Sequence, residues 1–421
     1  MRIITECFWC QSTELKLVAR RIDDKPVSEC QSCKLLLVTE LPDDLSEFYT
    51  EEAYFKPDSD TDTGYHENYD LISPLYLYWQ GAIINEAARL IAAKTLLEIG
   101  CATGNALEAI QSRDKSMTLT GIDLSPYAIE MTEAKGFGAK VSTINEFSKN
   151  GRVFDLLFSS ETMEHVDDLK EFIDSVRVSM KNDGIYAFYI PAVVRQELIK
   201  RGKEYISLTT SLEHVSYFTL DFIRHAMGNV FGQVAAVQMS TDGEDYIIGY
   251  ASKDAGHIKK LQKFLDSITS KVESIKDQDT LFNLAITSSK FALFDIANHY
   301  VSLLAKNASS KSLANLAGAI LSSHIGELEN AKKQFLVYQQ TTKTTDPVVY
   351  KLMYANEKSL NELFSKKVLL LTEHTQDIEK SLYDVQHELS ELKNSKLVGT
   401  TIRTRHAIGK VINPIRNQKK N

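Results

Sequence analysis

The sequence predicts an α/β protein in which a parallel sheet carries helices on both faces and is followed by an all-helical region. Three observations predict this fold class. Between residues 95 and 190, short apolar runs alternate with stretches of helical periodicity, which is the order of βαβ units. The first of these runs ends in a turn that contains Gly100 and Gly104 and continues as a helix. Beyond about residue 255, glycine is sparse and alanine, leucine, lysine and serine dominate, which favours helix pairs.

The elements of the sheet follow from the apolar runs taken in order along the chain. Residues 72–93 have the periodicity of a helix that precedes the first strand. A polar turn at residues 181–184 leads into the fifth strand. The last two β-rich runs have no helix between them, which predicts an antiparallel pair. The predicted strands are 95–100, 117–123, 138–142, 153–159, 184–190, 232–239 and 245–251, and the predicted helices begin at Asn105, at Ser125 and at residue 167.

Length, charge and hydropathy limit the function classes. A chain of 421 residues is long enough for two or three domains. Its net charge of −8 opposes dedicated nucleic-acid binding, which needs a basic surface. No run of about eighteen apolar residues is present, so no membrane span is expected. The first residues lack the apolar core of a secretion signal, and we therefore expect a cytoplasmic protein.

Four of the five cysteines form two pairs with the spacing of a zinc ribbon. Cys7 and Cys10 make one pair, Cys30 and Cys33 make the other, and two residues separate the cysteines within each pair. This spacing lets four thiolates converge on a tetrahedral zinc ion. Two disulfides are the alternative, which a reducing compartment and two-residue loops both oppose. We predict a structural zinc ion in a ribbon of residues 1–45, which would depend on the metal to fold.

The turn after the first strand separates several nucleotide-binding families. A nicotinamide-binding turn has glycine where this chain has Ala102 and Asn105, and the Gly-Lys-Ser/Thr of a P-loop is absent. The chain resembles class I S-adenosylmethionine-dependent methyltransferases, because four of its segments match that family's motifs in the family's order. The resemblance implies a Rossmann-like seven-stranded sheet within residues 46–255. The four segments are residues 97–104, 120–126, 154–166 and 181–184.

The resemblance implies an S-adenosylmethionine site at the carboxyl ends of the first two strands. Gly100, Ala102 and Gly104 would let the backbone approach the methionine part, and Asp123 would accept hydrogen bonds from the ribose hydroxyls. The alternative for Asp123 is an N-cap of the next helix. Glu98 matches the family's acid that faces the amino-acid end of the cofactor. The remaining candidates are Ser159 and Ser160 after the fourth strand, and Thr143 and Ile144 beside the adenine.

The acceptor side needs a base near neutral pH, for which histidine is the usual residue. His165 follows the fourth strand, where it either serves as the base or only orients the turn. The segment 212–218 and the four-cysteine ribbon resemble sugar methyltransferases, particularly those that methylate carbon 3 of nucleotide-linked 4-keto sugars. That resemblance implies acceptor chemistry at Glu213 and His214; the alternative for His214 is a residue that holds a strand edge. The tyrosine of that branch is Ser211 here, which leaves oxygen and carbon methylation equally open.

The helical region at residues 256–360 contains a weak repeat. Ala285 and Ala319 are 34 residues apart, and so are Ala297 and Ala331. This distance is the period of tetratricopeptide units. An ordinary helical bundle is the alternative. Outside the cysteines, the sequence shows no spacing that predicts a catalytic metal site.

The C-terminal end carries two further patterns. Apolar residues in 361–395 recur at alternating steps of four and three, which predicts a coiled coil that favours trimers or tetramers. A long helix packed on its own chain is the alternative. Residues 396–421 are basic and lack acidic residues, which favours an anionic bilayer surface, an acidic partner or a disordered tail.

Together these patterns predict a cytoplasmic homo-oligomer that methylates a sugar nucleotide or glycan in surface-polysaccharide biosynthesis. The basic tail would hold it near the inner membrane or a glycan-assembly partner, and no nucleic-acid partner is expected. One alternative is methylation of RNA or of a quinone or lipid acceptor. Another alternative is a multimeric scaffold or spacer with a vestigial methyltransferase domain.

Overall fold

The computed structural model describes residues 1–45, 69–209, 212–241 and 244–342, together with a few helical positions between 348 and 359. Ser211, residues 46–68, the predicted coiled coil and the basic tail lie outside these residues. Residues 1–357 form one compact unit. No helix within the described ranges has the length and apolar character needed to cross a bilayer.

The described elements alternate as the sequence predicts. The strands are β1 (Arg2–Ile3), β2 (Leu15–Arg20), β3 (Pro26–Cys30), β4 (Leu36–Val38), β5 (Glu40–Leu41), β6 (Thr95–Ile99), β7 (Thr118–Asp123), β8 (Gly138–Val141), β9 (Phe154–Ser160), β10 (Met180–Ala192), β11 (Ser216–Tyr217), β12 (Gln233–Thr241) and β13 (Glu244–Ser252). The helices are α1 (Tyr69–Ile91), α2 (Asn105–Arg113), α3 (Pro126–Ala134), α4 (Ile144–Ser148), α5 (Leu169–Val178), α6 (Arg195–Arg201), α7 (Lys203–Thr209), α8 (Leu220–Phe231), α9 (Ala255–Ile268), α10 (Gln278–Lys290), α11 (Phe294–Ala305), α12 (Lys311–His324) and α13 (Leu328–Thr342). Short 3-10 turns lie at Met163–His165 and Ala308–Ser310.

The central sheet has seven strands in the order β12-β13-β10-β9-β6-β7-β8. Strands β6 to β10 run parallel to one another, and β13 pairs antiparallel with both β10 and β12. The predicted Rossmann-like methyltransferase sheet and its terminal antiparallel pair are therefore confirmed. Because β6 lies where the strand order reverses, its carboxyl end opens a crevice beside β9.

The predicted turn at residues 181–184 is wrong as a separate element. These residues lie within β10, where the register against β9 shifts between Met180 and Ile185. The buried Ser252 hydroxyl donates to the Gly184 carbonyl oxygen over 2.7 Å, which ties this irregular part of the strand to the end of β13. An irregularity in the pairing of β10 with β9 therefore replaces the turn.

Helix α1 packs between the sheet and the helical region. Its Trp79 is fully buried, with its ring 4.6 Å from that of Tyr189 on the sheet and 5.6 Å from that of Phe291 at the end of α10. Glu86 of the same helix is also buried, and its carboxylate accepts hydrogen bonds from Thr280 (3.0 Å) and Asn283 (3.1 Å) of α10. The helical region is therefore joined to the sheet by apolar and polar contacts alike.

The helical region contains two successive helix pairs, α10 with α11 and α12 with α13. Helix α12 begins 33 residues after α10, and α13 begins 34 residues after α11. The residues between paired helices, Ala292 and Gly326, both have positive φ, 55° and 79°. The four alanines that suggested a repeat are buried. The tetratricopeptide interpretation stays a prediction.

The N-terminal ribbon packs against the part of the chain that carries the central sheet. Strand β11 pairs with β4, so the four-stranded sheet has the order β11-β4-β3-β2. The Trp9 ring packs edge-on against Phe222 of α8 at 6.1 Å. Buried Glu29 of β3 forms an ion pair with Arg195 of α6. Helices α6 and α7, which the sequence analysis does not assign, lie in the segment between β10 and β11 and help to cover this sheet.

Candidate active site

The turn after β6 has a backbone that demands small residues. Gly100, Ala102 and Gly104 have φ of 74°, 44° and 75°, in the left-handed region. A Cβ atom on Gly100 would lie 2.6 Å from the Thr162 hydroxyl oxygen, and one on Gly104 would lie 2.9 Å from that of Thr132. The turn therefore presents bare backbone at the crevice, as the sequence analysis predicts.

Asp123, at the end of β7, holds this turn in place. Its Oδ2 accepts a hydrogen bond from the Ala102 backbone N–H, and its Oδ1 accepts one from the Ser125 N–H, both over 2.9 Å. The alternative role as helix N-cap is wrong, because the Ser125 hydroxyl caps α3 by accepting from the Ala128 N–H. Burial raises the pKa of Asp123, while the backbone donors act in the opposite direction. Each oxygen keeps a further lone pair for a hydroxyl donor.

Glu98 places a second acid beneath the same turn. Its side chain is 3% exposed, and its Oε2 atom has no hydrogen-bond partner among the residues that the structure describes. Burial, together with the nearby charge of Asp123, raises the pKa of Glu98 well above its ordinary value, and Lys135 partly opposes this. A buried, unpartnered carboxylate oxygen is a strong acceptor for a cationic donor. The crevice thus contains the polar groups that an adenosine with an amino-acid tail requires.

The four remaining cofactor candidates differ in their contacts. The Ser159 hydroxyl lies 2.6 Å from the Tyr186 hydroxyl and is fully buried, whereas the Ser160 hydroxyl accepts a hydrogen bond from Gln80 of α1 over 2.7 Å. Thr143 caps α4 by accepting from the Glu146 N–H. The side chain of Ile144 is 2% exposed. Cofactor contact by these four residues stays a prediction.

The two predicted acceptor-side histidines meet around an acid that the sequence analysis does not single out. The rings of His165 and His214 are 4.9 Å apart and nearly perpendicular. Glu164 lies between them, 1% exposed, with its Oε1 atom 3.9 Å from Nε2 of His165 and 4.0 Å from Nε2 of His214. Burial lowers the pKa of His165 to about 4 and that of His214 well below its ordinary value. Both imidazoles are therefore neutral at pH 7.

A chain of hydrogen bonds connects this cluster with the ribbon. The Val215 N–H donates to the Glu164 carbonyl over 2.8 Å, and the Val215 carbonyl accepts from the Val38 N–H of β4 over 2.9 Å. The guanidinium of Arg21, which is 2% exposed, donates to the His214 carbonyl over 3.0 Å. The position of His214 thus depends on two strands of the ribbon. Glu213, its neighbour, is buried at 7% exposure.

The four ribbon cysteines converge as predicted from their spacing. Their Sγ atoms lie within 4.8 Å of one another, with Cys7 to Cys33 and Cys10 to Cys30 both at 3.5 Å. Thiolates at 2.3 Å from a tetrahedral zinc ion are roughly 3.8 Å apart, so the donor set and its spacing fit zinc. All the cysteines are free, which opposes the disulfide alternative.

The two knuckles of the ribbon share one turn conformation. The N–H of the residue after each second cysteine, Gln11 and Lys34, donates to the carbonyl of the first cysteine of its pair, over 3.0 and 2.9 Å. Both residues have positive φ, 60° and 68°. The fifth cysteine, Cys101, is buried against Gly121, where a Cβ atom would lie 2.6 Å from its sulfur. The contact gives Cys101 a role in packing.

Comparisons with known proteins agree on the type of domain. Residues 75–230 match the family model described as a methyltransferase domain. The ubiquinone biosynthesis O-methyltransferase of Actinobacillus pleuropneumoniae serotype 5b (strain L20) is 30% identical over 129 residues, which cover 28% of this chain and 53% of that protein. The chain spans about half the length of the curated relatives it matches.

Two solved structures are each similar to less than half of the chain. The plantazolicin methyltransferase BpumL in complex with SAH is 15% identical at a TM-score of 0.36, covering 44% of this chain and 87% of that chain. An S-adenosylmethionine-dependent methyltransferase from Clostridium acetobutylicum ATCC 824 is 16% identical at a TM-score of 0.33, covering 42% of this chain and 92% of that chain. By its family model, residues 75–230 of this protein are a methyltransferase domain, carried on the seven-stranded sheet described above.

Proposed function

We propose that this protein transfers a methyl group from S-adenosylmethionine to a sugar or glycan acceptor. The observation that supports the donor is the cradle at the tips of β6 and β7, in which the buried Glu98 carboxylate has an oxygen without a partner among the described residues. When bound, S-adenosylmethionine supplies an electrophilic methyl group. The protein then has to orient two reactants and exclude water.

Each residue of the cradle has a distinct role in this proposal. Glu98 receives the ammonium group of the methionine part, which offsets the cost of burying its charge. Asp123 accepts hydrogen bonds from the ribose hydroxyls on the lone pairs that the Ala102 and Ser125 N–H groups leave open. The glycines let the backbone approach the ligand, because a Cβ atom at either position would meet a threonine side chain.

The polarity of the acceptor side supports a hydroxyl-rich acceptor. Glu164, His165, Glu213 and His214 are all buried or nearly so, next to the buried guanidinium of Arg21. Buried polar groups need partners, and several hydroxyl groups of a sugar supply more of them than an apolar ring does. In this proposal His165, Glu213 and His214 form the acceptor side of the site, and oxygen and carbon methylation both stay open.

A phenolic hydroxyl of a quinone precursor is the second candidate acceptor. The observation that favours it is the 30% identity over 129 residues to a ubiquinone biosynthesis O-methyltransferase. That match covers 28% of this chain, whereas the buried polar groups around His214 favour an acceptor with several hydroxyl groups. We therefore place the sugar acceptor first.

Three features of the proposal concern the rest of the chain. The four ribbon cysteines bind a structural zinc ion, whose removal would unfold the knuckles. Residues 361–395 assemble copies of the chain through a coiled coil. Residues 396–421 bring the assembly to the cytoplasmic face of a membrane or to a glycan-assembly partner.

One experiment compares the candidate functions side by side. Full-length protein is incubated with methyl-labelled S-adenosylmethionine and, in parallel, with nucleotide-linked sugars, isolated surface glycan and a catechol precursor of a quinone. We expect label in a sugar or glycan fraction. Label only in the catechol would establish the second candidate. No label in any fraction, with no calorimetric heat from S-adenosylhomocysteine, would leave a scaffold with a vestigial domain.

A further inference from the structure

A second cluster of metal-ligand side chains lies apart from the four cysteines. Glu164 and His165 occupy the 3-10 turn after β9, and His214 precedes β11. The Nε2 atoms of both histidines face the same carboxylate oxygen, at 3.9 and 4.0 Å. One ligand atom from each of the three residues lies within 4.8 Å of the others. Two imidazoles and one carboxylate thus converge on one point.

The Glu164 carboxylate has no satisfied role within the part of the chain that the structure describes. It is 1% exposed, and neither of its oxygens has a hydrogen-bond partner there. The distances to the two histidines are too long for direct hydrogen bonds. The guanidinium of Arg21 is directed to the His214 carbonyl and to Asp23 instead. A carboxylate buried in this way costs folding free energy unless a ligand satisfies it.

The chemistry of the three side chains selects the ligand. Two histidines and one carboxylate are a donor set for divalent transition metals that leaves coordination positions open. Ligand atoms at about 2.1 Å from a metal ion are roughly 3 to 3.5 Å apart, so the nitrogen–oxygen distances would shorten by about 0.5 to 1 Å.

We infer that Glu164, His165 and His214 bind a divalent transition metal ion, which positions the acceptor oxygen for methyl transfer. The role of the metal ion rests on the proposed function, whereas the site itself does not. The same turn carries Thr162, which packs against Gly100 of the donor cradle, so the site lies beside the donor crevice. A hydroxyl group bound to a metal ion loses its proton more readily than a free one, and the proton passes to water. The oxygen then bonds to the methyl carbon as the carbon–sulfur bond of S-adenosylmethionine breaks and S-adenosylhomocysteine leaves.

The test uses the full chain, supplied with one equivalent of zinc for the cysteines and then titrated with Mn²⁺ alone. Free Mn²⁺ is followed by its electron paramagnetic resonance signal, and bound Mn²⁺ by spin-echo modulation from coordinated imidazole nitrogen. We expect one bound Mn²⁺ per chain and a nitrogen modulation in the wild-type protein. Glu164→Gln and His214→Ala should each weaken Mn²⁺ binding by roughly 100-fold, since even outer contacts of a metal site account for about 10- to 100-fold.

Matched controls and a separate ligand keep the outcomes distinct. Glu171→Gln and His225→Ala change an exposed acid and an exposed histidine, and both should bind Mn²⁺ as the wild-type protein does. The inference is overturned if the wild-type protein binds Mn²⁺ no more tightly than the Glu164→Gln protein, or if bound Mn²⁺ shows no imidazole modulation. Heat from S-adenosylhomocysteine without Mn²⁺ binding would remove the metal site and leave the proposed function. Mn²⁺ binding without heat from S-adenosylhomocysteine would support the metal site and remove the proposed function.

Discussion

Replacing Asp123 with asparagine should abolish tight binding of the spent cofactor without changing the size of the side chain. The carboxylate accepts hydrogen bonds from two backbone N–H groups at 2.9 Å, so the amide nitrogen of asparagine would face one of these donors. A buried donor that loses its partner lowers the free energy of unfolding by about 1–3 kcal/mol in the free and the bound protein alike. The affinity falls because the ribose loses a charged acceptor, which contributes about 1.5–3 kcal/mol and raises the Kd for S-adenosylhomocysteine roughly 10- to 150-fold in calorimetry.

Asp155 offers a matched control near the amino end of β9, at the opposite end of the parallel strands from Asp123. Its carboxylate also accepts from two backbone donors, the Lys94 N–H at 3.0 Å and the Thr95 N–H at 2.9 Å, and it pairs with Lys181 at 2.7 Å. Asp155→Asn should lower the free energy of unfolding yet leave the affinity for S-adenosylhomocysteine unchanged. The reasoning is refuted if Asp123→Asn binds within threefold of the wild-type protein, or if the two variants lose affinity equally.

Three further outcomes follow from the described contacts. Gly100→Ala should lower the free energy of unfolding by about 1–2 kcal/mol because of its positive φ, and by roughly 1–3 kcal/mol more because of its steric clash. Gly136 also has positive φ but has open space around it, so Gly136→Ala should show only the first cost. Urea unfolding measures both variants. Cys30→Ser should release one equivalent of zinc, measured with a colorimetric chelator, whereas Cys101→Ser should retain it. If Cys30→Ser keeps its zinc and an intact fold, the ribbon assignment is contradicted. The donors around Asp155 lower its pKa to about 2 from 3.8, so its contribution of about 2 kcal/mol is present above pH 4 and is lost as the pH falls toward 2. The difference in unfolding free energy between the wild-type protein and Asp155→Asn should therefore shrink over that pH range, and a constant difference would count against this.

The donor side of the site could be predicted because short segments of the sequence carry its motifs. Glu98, the glycine turn and Asp123 lie at the ends of adjacent parallel strands, and the alternation of apolar and polar residues fixes where those strands end. The strand bounds agree with the predictions to within a few residues, except where β10 absorbs the turn at residues 181–184. Residues 181–184 form part of β10 because of tertiary contacts with β13, such as that of Ser252 with Gly184. A short window of sequence does not contain both partners.

The acceptor side could be predicted only in part, because distant segments build it. His165 and His214 were recognisable as histidines near strand ends, but their meeting around Glu164 requires β11 to pair with β4. Strand β11 has only two residues, which is too short to carry a periodic signal. The buried Arg21 donates to the carbonyl of a residue almost two hundred positions away, and only the folded chain brings the two together.

The hydrogen-bonded path from β4 through Val215 to Glu164 has a thermodynamic consequence. Strand β4 begins three residues after Cys33, so the same short stretch of backbone serves both the knuckle and the histidine cluster. Two ligands that order one stretch of backbone are energetically coupled, and such coupling is reciprocal. Saturation with an acceptor should therefore raise the affinity for zinc by the same factor by which zinc raises the affinity for the acceptor. A chelator should then withdraw less zinc at equilibrium.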